Sequence, residues 1–251
     1  MAKKLHPLGI DIGGSGIKGA PVDLDEGVFA TDRLRIETPK ESTPDAVADI
    51  VEQIADHFKS DTKDSPVGVT IPGVVTHGMV RTAANIDKSW IGTDAEAMLS
   101  SRLGRPVTVV NDADAAGVGE LHYGAARNVK GLVLVATLGT GIGSALLMGG
   151  SLVPNSELGH LEIDGHDAET RASSAARENE DLSWEEWSER LQRYFAKIED
   201  LLWPELIVVG GGVSKHADHY LPLLHLRAPI VAAQLGNAAG IVGAAWLASN
   251  P

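Results

Sequence analysis

The chain has 251 residues, of which 43% are hydrophobic, with no cysteine and a formal net charge of -13. This length allows one large domain or two lobes, and the lack of cysteine excludes disulfides and thiolate zinc sites. The negative charge argues against broad nucleic-acid binding, and no apolar run is long enough to span a membrane, so we expect a cytoplasmic protein.

The N-terminal residues predict a strand, a glycine-rich turn and a return strand. Residues 8–12 form the first predicted strand, and Asp11 near its end is placed to hold Mg²⁺ directly or through water. Glycines let the backbone approach a ligand closely, and successive N–H groups in such a turn form an anion cradle. A hairpin turn without any ligand is the alternative interpretation. The residues predicted to hold phosphate are Gly13, Gly14, Ser15, Gly16 and Lys18.

Helices and buried strands alternate through the rest of the first half. Pro44 after Thr43 indicates a helix start, because proline is favoured at the first helical position. Thr93 and Glu96 have the spacing of a capping box that starts another helix. Strands are predicted at residues 67–71 and 107–110, and helices at 43–58, 93–104 and 113–123.

The second half repeats this plan. Residues 131–138 predict a buried strand, which a glycine-rich turn and a return strand follow. Ser183 and Glu186 form a second capping box, ahead of a helix whose apolar residues keep helical spacing to Leu201. The second predicted phosphate turn contains Thr137, Gly139, Thr140 and Gly141, and a third glycine-rich segment, after a strand at 206–209, contains Gly210, Gly211 and Gly212.

The repeated plan predicts an α/β protein with two lobes. We place the N-terminal lobe at residues 1–115 and the C-terminal lobe at residues 116–251. The alanine-rich segment at 238–248 is predicted to be a helix that packs back on the N-terminal lobe.

Asn111 and Asp112 follow a buried strand, at the point where ligand sites in open α/β sheets are favoured. A carboxylate there can accept the proton of an attacking hydroxyl, and the neighbouring amide can hold another hydroxyl. The alternative is an Asn-Asp turn that caps the following helix.

A second polar group is predicted around Glu157 and His160, which are three residues apart and suit vicinal sugar hydroxyls. Asn85 and Glu169 are further candidates for the same role, against the alternatives of a turn residue and a surface acid. A metal site formed by His160, Glu162, Asp164 and His166 is the less favoured interpretation, and a solvated loop is preferred.

Together these motifs resemble the ROK family of sugar kinases, within the actin/hexokinase/Hsp70 superfamily, and most closely its polyphosphate glucokinases. The resemblance covers nearly the whole chain, and the ordered set is specific although each motif alone is not. The matching segments are 11–18, 111–116, 138–144, 157–160, 162–169 and 209–213.

The resemblance implies a two-lobed actin-like (ribonuclease H-like) fold with a ligand cleft between the lobes, and a Mg²⁺-dependent enzyme that forms a homodimer. The implied reaction transfers a phosphoryl group from polyphosphate, with ATP as a second donor, to the 6-hydroxyl of glucose. Asp112 is the implied base, and Asp11 is placed near Mg²⁺. The implied sugar ligands are Gly73, Asn85, Asn111, Glu157, His160 and Glu169, and the glycine-rich segments hold the donor.

One departure from the family concerns zinc. Many ROK proteins carry a cysteine-rich zinc motif after the Gly-His pair, whereas residues 161–171 contain no cysteine. The resemblance therefore implies no zinc here, and this loop must be held by other contacts.

Three alternatives compete with this interpretation. The nearest is an ATP-dependent ROK kinase of another hexose or an N-acylated amino sugar. A sugar-sensing repressor would need an N-terminal DNA-binding segment, for which the sequence before Gly9 leaves no room. A dinucleotide-dependent dehydrogenase does not fit, because Gly139–Gly143 precedes a strand-like run instead of a helix.

A long polyanion must bind against the acidic field of the whole chain, which requires local basic residues. Solvated surface charge is the alternative for each of them. The candidates for the polyphosphate tail are Lys88, Arg102, Arg105, Arg127 and Lys130.

Overall fold

The computed structural model describes residues 5–250. In chain order the strands are β1 (Leu8–Ile12), β2 (Ile17–Asp23), β3 (Val28–Phe29), β4 (Leu34–Ile36), β5 (Val67–Ile71), β6 (Val75–Thr76), β7 (Met79–Val80), β8 (Val107–Asn111), β9 (Leu132–Leu138), β10 (Ile142–Met148), β11 (Ser151–Val153), β12 (Glu162–Ile163), β13 (His166–Asp167), β14 (Leu206–Gly210) and β15 (Ile230–Ala232). The helices are α1 (Pro44–His57), α2 (Lys59–Thr62), α3 (Ala95–Leu103), α4 (Asp112–Tyr123), α5 (Glu169–Ala172), α6 (Ser174–Asn179), α7 (Trp184–Leu202), α8 (Ala217–Tyr220) and α9 (Ala239–Ser249).

The chain forms two compact units. Unit 1 contains the residues up to Gly119 and those from Ala238 onward, and unit 2 is Glu120–Asn237. The division falls inside α4, a few residues beyond the boundary predicted from the sequence. Each helix within residues 5–250 is too short or too polar to cross a lipid bilayer.

Unit 1 is built on one mixed sheet with the strand order β3-β2-β1-β5-β8, in which β4 also pairs with β2. β1 and β2 are antiparallel, whereas β1, β5 and β8 run parallel. The pairing places Asp11 opposite Lys18 on one neighbouring strand and opposite Thr70 on the other. The glycine-rich turn and the carboxyl end of β8 are therefore fixed by the same sheet.

Helix α9 packs on β1 and β5 of unit 1. A Cβ atom on Gly9 would overlap the carbonyl oxygen of Ile241, and one on Gly68 would overlap that of Ala244. The two glycines are therefore required for the helix backbone to lie directly on the strands.

Unit 2 repeats the arrangement with a sheet in the order β11-β10-β9-β14-β15. β9 and β10 form the antiparallel pair, and β9, β14 and β15 are parallel. Helix α7 buries Trp187, Leu191 and Ile198 in the core of this unit. The antiparallel pair with a glycine-rich turn was predicted for both halves, and the structure has it in both.

Of the three helix starts predicted from capping residues at Thr43, Thr93 and Ser183, two are correct. The Thr43 side chain accepts a hydrogen bond from the Ala46 N–H at 3.4 Å, with Pro44 following. The capping box between Ser183 and Glu186 is complete, with hydrogen bonds of 2.9 and 3.1 Å.

The capping box predicted at Thr93 is wrong by one residue. Asp94 is the N-cap of α3, and its carboxylate accepts from the Ala97 N–H at 2.9 Å. The Thr93 hydroxyl donates to the Ser89 carbonyl instead, and Glu96 accepts from the Val109 N–H. Aspartate is among the strongest N-cap residues, so it takes the position next to the threonine.

Candidate active site

The glycine-rich turn of unit 1 is closed by a hydrogen bond from the Gly13 N–H to the Gly16 carbonyl, at 3.2 Å. The guanidinium of Arg35 donates to the Ser15 carbonyl at 2.8 Å, and it fills the space that a Cβ on Gly16 would need. Gly14 and Ser15 are exposed. Arg35 was not predicted from the sequence, and its guanidinium places a positive charge at this turn.

Asp11 lies beside this turn on β1. Its Oδ1 accepts from the Thr70 hydroxyl at 2.9 Å, and its Oδ2 lies 3.6 Å from Lys18 Nζ. One carboxylate combined with substrate phosphates is a usual way of holding Mg²⁺, and Asp11 is still partly exposed, so this residue fits the predicted ion.

Three of the predicted sugar residues in unit 1 lie together. The buried Asn111 donates through Nδ2 to the Gly73 carbonyl at 3.1 Å and accepts at Oδ1 from the Asp114 N–H at 3.0 Å. Asn111 therefore caps α4, as the alternative interpretation proposed, and it also anchors the Gly73 loop. Asp112 follows as the first residue of α4, half-buried, and its Oδ1 accepts from the Ala113 N–H at 2.9 Å.

The Gly73 loop also brings Asn85 to the phosphate turn. The Pro72 carbonyl accepts from the Ala84 N–H at 2.8 Å, which returns the chain to the start of the loop. Asn85 has a φ of 58° and lies against Gly14, where an added Cβ would be 3.0 Å from the Asn85 carbonyl oxygen. Asn85, which was predicted to bind the sugar, therefore lies beside Gly14, which was predicted to bind phosphate.

The sugar residues predicted in unit 2 also form one cluster. His160 Nε2 lies 3.8 Å from a Glu157 oxygen, and His160 Nδ1 lies 3.9 Å from Glu169 Oε1. Glu169 Oε2 accepts from the Ile142 N–H at 3.0 Å, at the start of β10. The cluster is thus tied to the second phosphate turn.

Asp167 is a member of this cluster that the sequence analysis did not single out. Its Oδ2 lies 2.8 Å from His160 Nδ1, and its Oδ1 accepts from the Glu169 N–H at 3.2 Å. The antiparallel pair β12–β13 places it there, because its residue register pairs Glu162 with Asp167. The loop at residues 161–171 has no cysteine to hold a zinc ion, and the Asp167 carboxylate is one of the contacts that hold it instead.

The pKa values of Glu157 and His160 in this cluster are both raised, but for different physical reasons. Burial raises the pKa of Glu157, and nearby Glu169 adds to this while His160 opposes it. The hydrogen bond with Asp167 raises the pKa of His160, with further support from the charges of Glu169 and Glu157 and opposition from burial.

The less favoured metal prediction involved His160, Glu162, Asp164 and His166. Within residues 5–250 these four side chains do not form a cluster of possible metal ligands. Asp164 pairs with Arg193 at 2.6 Å, and His166 lies 3.3 Å from Arg171. Across residues 5–250, the group whose possible ligand atoms lie within 4.8 Å of one another is His160, Asp167 and Glu169.

The second phosphate turn opens into a cavity of about 400 Å³ within unit 2. The Gly139 N–H donates to the Gly141 carbonyl at 3.0 Å, and the Gly139 carbonyl accepts from the Ala175 N–H of α6 at 3.1 Å. Gly139, Thr140 and Gly212 line the cavity, whereas Thr137 and Gly210 are paired in the sheet beneath it.

Gly211 precedes the segment that lines one side of this cavity. Its φ is 83°, and a Cβ would overlap the Leu138 carbonyl oxygen, so only glycine fits. The segment that follows carries Lys215 and His216 to the cavity, and α6 carries Arg177. These three residues were not predicted from the sequence.

The basic residues predicted for the polyphosphate tail have structural partners at three positions. Arg102 pairs with Asp49 and Glu52, and the Lys88 ammonium donates to the Ala83 carbonyl. The Arg105 guanidinium donates to the carbonyls of Lys63 and Ser65 at 2.6 and 3.2 Å. Both Arg102 and Arg105 therefore already have protein partners, and their role in a tail groove stays a prediction.

Known proteins resemble the chain over its whole length. The polyphosphate glucokinase of Mycobacterium tuberculosis is 52% identical over 241 residues, which cover 96% of this chain and 90% of that protein. The structure of inorganic polyphosphate/ATP-glucomannokinase from Arthrobacter sp. strain KM is 57% identical with a TM-score of 0.94, over 98% of this chain and 99% of that one. A ROK family glucokinase from Streptomyces griseus, solved with glucose and AMPPNP, is 26% identical with a TM-score of 0.84, over 98% and 100% of the two chains.

The fold is therefore the two-lobed actin-like α/β fold that the sequence resemblance implied. A family model described as the ROK family matches residues 7–174, which is more than half of the chain. The chain belongs to the ROK family.

Proposed function

We propose that the protein is a glucokinase that transfers a phosphoryl group from polyphosphate, and also from ATP, to the 6-hydroxyl of glucose. The observation that carries the proposal is the half-buried carboxylate of Asp112, held at the end of a parallel strand beside Asn111 and the Gly73 loop. Relatives that are 50% and 52% identical are named polyphosphate glucokinases, which supports the same reaction.

In this reaction Asp112 accepts the proton of the 6-hydroxyl as its oxygen bonds to the terminal phosphorus of the donor. The bond between that phosphorus and its bridging oxygen breaks, and the shortened donor leaves with the electron pair. General-base assistance of this kind contributes roughly 10²–10⁴-fold to the rate. Asn111 fixes the position of Asp112 by capping the helix on which it lies.

The other sugar hydroxyls are proposed to bind to the cluster of unit 2. Glu157 and Glu169 offer carboxylate oxygens that accept from hydroxyl groups, and His160 presents Nε2 while Asp167 engages Nδ1. A site that hydrogen-bonds each hydroxyl discriminates strongly between sugars, because a sugar that lacks one hydroxyl leaves a polar group of the protein unpaired.

The phosphates are proposed to lie on the backbone N–H groups of the two glycine-rich turns, with Lys18 and Arg35 adding positive charge. Asp11 is the residue that would hold Mg²⁺, which when bound neutralises charge on the donor phosphates. The proposed enzyme works in the cytoplasm as a homodimer, at the step where glucose enters carbohydrate metabolism.

Mannose is a second proposed acceptor. The Arthrobacter protein, 57% identical, is named as a glucomannokinase that uses polyphosphate and ATP. A repressor is disfavoured, although a xylose repressor of Bacillus subtilis is 28% identical over 63% of this chain, because the lysine and the acid expected for catalysis are both present here.

The test is an assay of the purified protein with glucose or mannose, Mg²⁺, and either polyphosphate or ATP. We expect sugar 6-phosphate from polyphosphate, and a smaller or equal yield from ATP. Asp112→Asn is the control for adventitious kinase activity, since it removes the base. Sugar binding without product from either donor would refute the proposed function.

A further inference from the structure

A second cavity of unit 2, of about 290 Å³, is lined by the hairpin β12–β13 and by helices α5 and α7, and we call it the hairpin cavity. It shares no lining residue with the cavity at the second phosphate turn. Its lining contains three arginines against one acid, in a chain whose net charge is -13. We propose that the hairpin cavity binds a phosphate group, carried by free orthophosphate or by a sugar 6-phosphate, and that Arg171, Arg193 and Tyr194 are its contacts. This site is separate from the donor turns and the sugar ligands, so the inference goes beyond the proposed function.

The floor of the hairpin cavity carries a buried hydrogen-bond donor. Tyr194 is 1% exposed, and its hydroxyl has no hydrogen-bond partner within residues 5–250. Burial raises the pKa of Tyr194, and the charge of Glu169 adds to this, so the phenol keeps its proton. A buried hydroxyl without a partner costs folding free energy, and an anion in the cavity gives this O–H an acceptor.

Arg171 contacts an imidazole at the exposed rim of the cavity. Its Nη2 lies 3.3 Å from His166 Nε2, and no carboxylate oxygen of residues 5–250 forms an ion pair with it. Because a guanidinium only donates hydrogen bonds, the imidazole nitrogen is the acceptor in this contact. A neutral partner thus orients the Arg171 side chain and leaves its positive charge for a ligand.

Arg190 holds the two helices of the cavity together. Its guanidinium binds the two oxygens of Glu180 at 3.0 and 2.7 Å, and it donates to the Arg171 carbonyl at 3.2 Å. The Arg190 hydrogen bond lowers the pKa of Glu180, and the charge of Arg171 contributes less. Arg190 therefore fixes α5 on α7, and the cations that remain for a ligand are Arg171 and Arg193.

Arg193 lies on α7, one residue before Tyr194. It pairs with Asp164 at 2.6 Å, and both side chains are more than half exposed. Exposed ion pairs contribute little to stability, so Arg193 can exchange this carboxylate for a bound anion at small cost.

The arrangement of the donors favours a phosphate group over a carboxylate. Arg171 belongs to α5, whereas Arg193 and Tyr194 belong to α7, so an occupant has to accept hydrogen bonds from several directions. A phosphate group presents three strong acceptor oxygens and pairs well with guanidinium groups, whereas a carboxylate has two oxygens in one plane. The volume lies near the lower limit of roughly 300 Å³ for small-molecule pockets, which indicates a small ligand.

The hairpin cavity adjoins the sugar cluster without sharing its ligands. Successive side chains of a strand point to opposite faces, so His166 lines the cavity while Asp167 contacts His160. The His166 ring therefore reports on the hairpin cavity, and the His160 ring reports on the sugar cluster.

The test follows the ring resonances of His166 and His160 by NMR in the full-length protein without sugar or donor. Orthophosphate, glucose 6-phosphate or acetate is added at constant pH and ionic strength. The variants are Arg171→Gln and Tyr194→Phe. The first has a matched control in Lys197→Gln, which neutralises an exposed lysine of α7 outside the lining. The second is matched by Tyr220→Phe, which removes another buried hydroxyl that has no partner in the described chain and lies outside the lining.

We expect orthophosphate or glucose 6-phosphate to shift the His166 resonance with saturation, and acetate to shift it less. The phosphate compound that binds more tightly identifies the source of the group. Arg171→Gln and Tyr194→Phe should each raise its Kd about tenfold, as for loss of a hydrogen bond to a charged group, while both controls match the wild type. Thermal melting without phosphate should show Tyr194→Phe to be at least as stable as the wild type, because an unpaired hydroxyl is removed.

Three results would each overturn the proposal. The first is a response to both phosphate compounds that is confined to His160. The second is a His166 response to acetate as large as that to phosphate, and the third is an unchanged phosphate Kd in Arg171→Gln and Tyr194→Phe. Because no sugar is phosphorylated in this experiment, its result is the same whether or not the protein is a glucokinase.

Discussion

The Nδ1 atom of His160 lies 2.8 Å from Oδ2 of Asp167, and Oδ1 of the same carboxylate accepts the N–H of Glu169. One side chain therefore orients two of the proposed sugar ligands. A carboxylate on Nδ1 fixes the N–H there and leaves Nε2 for the sugar, in the way that second carboxylates orient histidine ligands of metals.

We predict that Asp167→Asn lowers the pKa of His160 and raises the KM for glucose more than it lowers kcat. The pKa of His160 is raised in the folded protein. The stabilisation that protonated His160 gains from Asp167 is therefore fully present below the unfolded pKa, and it is lost as pH rises through the folded pKa. Glu157 and Glu169 also face the ring and remain in the variant. NMR titration of the His160 ring measures the shift.

Asp164→Asn is the matched control for this prediction, because Asp164 lies in the same hairpin and pairs with Arg193. Asparagine tolerates its φ of 55°. An unchanged His160 titration in Asp167→Asn would show that the hydrogen bond does not set the protonation of the ring.

Two alanine substitutions in the second turn separate sugar binding from donor binding. In Gly141→Ala the new Cβ overlaps Glu169 Oε2, so we expect the KM for glucose to rise. In Gly139→Ala the Cβ meets no protein atom within 4 Å, so it obstructs only a bound ligand, and the KM for the donor should rise. Steady-state kinetics with each substrate varied would contradict this if the two variants shift the same KM.

We predict that Asp112→Asn lowers kcat by about 10²-fold or more and leaves glucose binding within roughly tenfold. The amide oxygen can still accept from the Ala113 N–H, so the helix start is preserved. Rapid-quench measurement of product, with glucose binding by calorimetry, checks both halves of the prediction. Activity close to wild type would remove Asp112 from the mechanism.

Glu157 is expected to make glucose binding weaker at low pH. Burial raises its pKa, so its carboxylate becomes protonated at a higher pH than an ordinary glutamate and loses one acceptor for the sugar. The KM for glucose should rise as pH falls in the wild type, and it should be high and less pH-dependent in Glu157→Gln. A normal KM for glucose with a changed KM for the donor would place Glu157 elsewhere.

Arg105→Ala is expected to destabilise the protein without changing its choice of donor. The guanidinium binds the carbonyls of Lys63 and Ser65, and losing hydrogen bonds of this kind costs about 1–3 kcal/mol. Thermal melting should show a lower Tm, while the ratio of polyphosphate to ATP activity stays constant. A selective loss with polyphosphate would instead support the expectation that Arg105 contacts the polyphosphate tail.

Features set by neighbouring residues were predictable from the sequence. The Ser183–Glu186 box and the Thr43 cap depend on side chains within one helical turn of their partners, and both are present. The N-cap of α3 was misassigned because Thr93 and Asp94 are adjacent candidates. The Thr93 hydroxyl donates to the Ser89 carbonyl, which leaves Asp94 to cap the helix.

Contacts between distant segments were not predictable in this way. Arg102 and Arg177 are both basic residues in the sequence, yet the first binds two acids of α1 and the second lies on Trp184. Only packing decides which partner a flexible cation meets. The partnership of His160 with Asp167 likewise depends on a two-stranded hairpin too short for the sequence pattern to indicate.

Helix α9 has a consequence for the order in which the two units fold during synthesis. The strands of unit 1 are covered by a helix that follows unit 2 in the chain, whereas unit 2 is a single continuous segment. On the ribosome, unit 2 has all its residues before the N-terminal strands receive their last helix. We therefore expect the later-synthesised unit to finish folding first, with the nascent N-terminal sheet exposing Gly9 and Gly68 until α9 emerges.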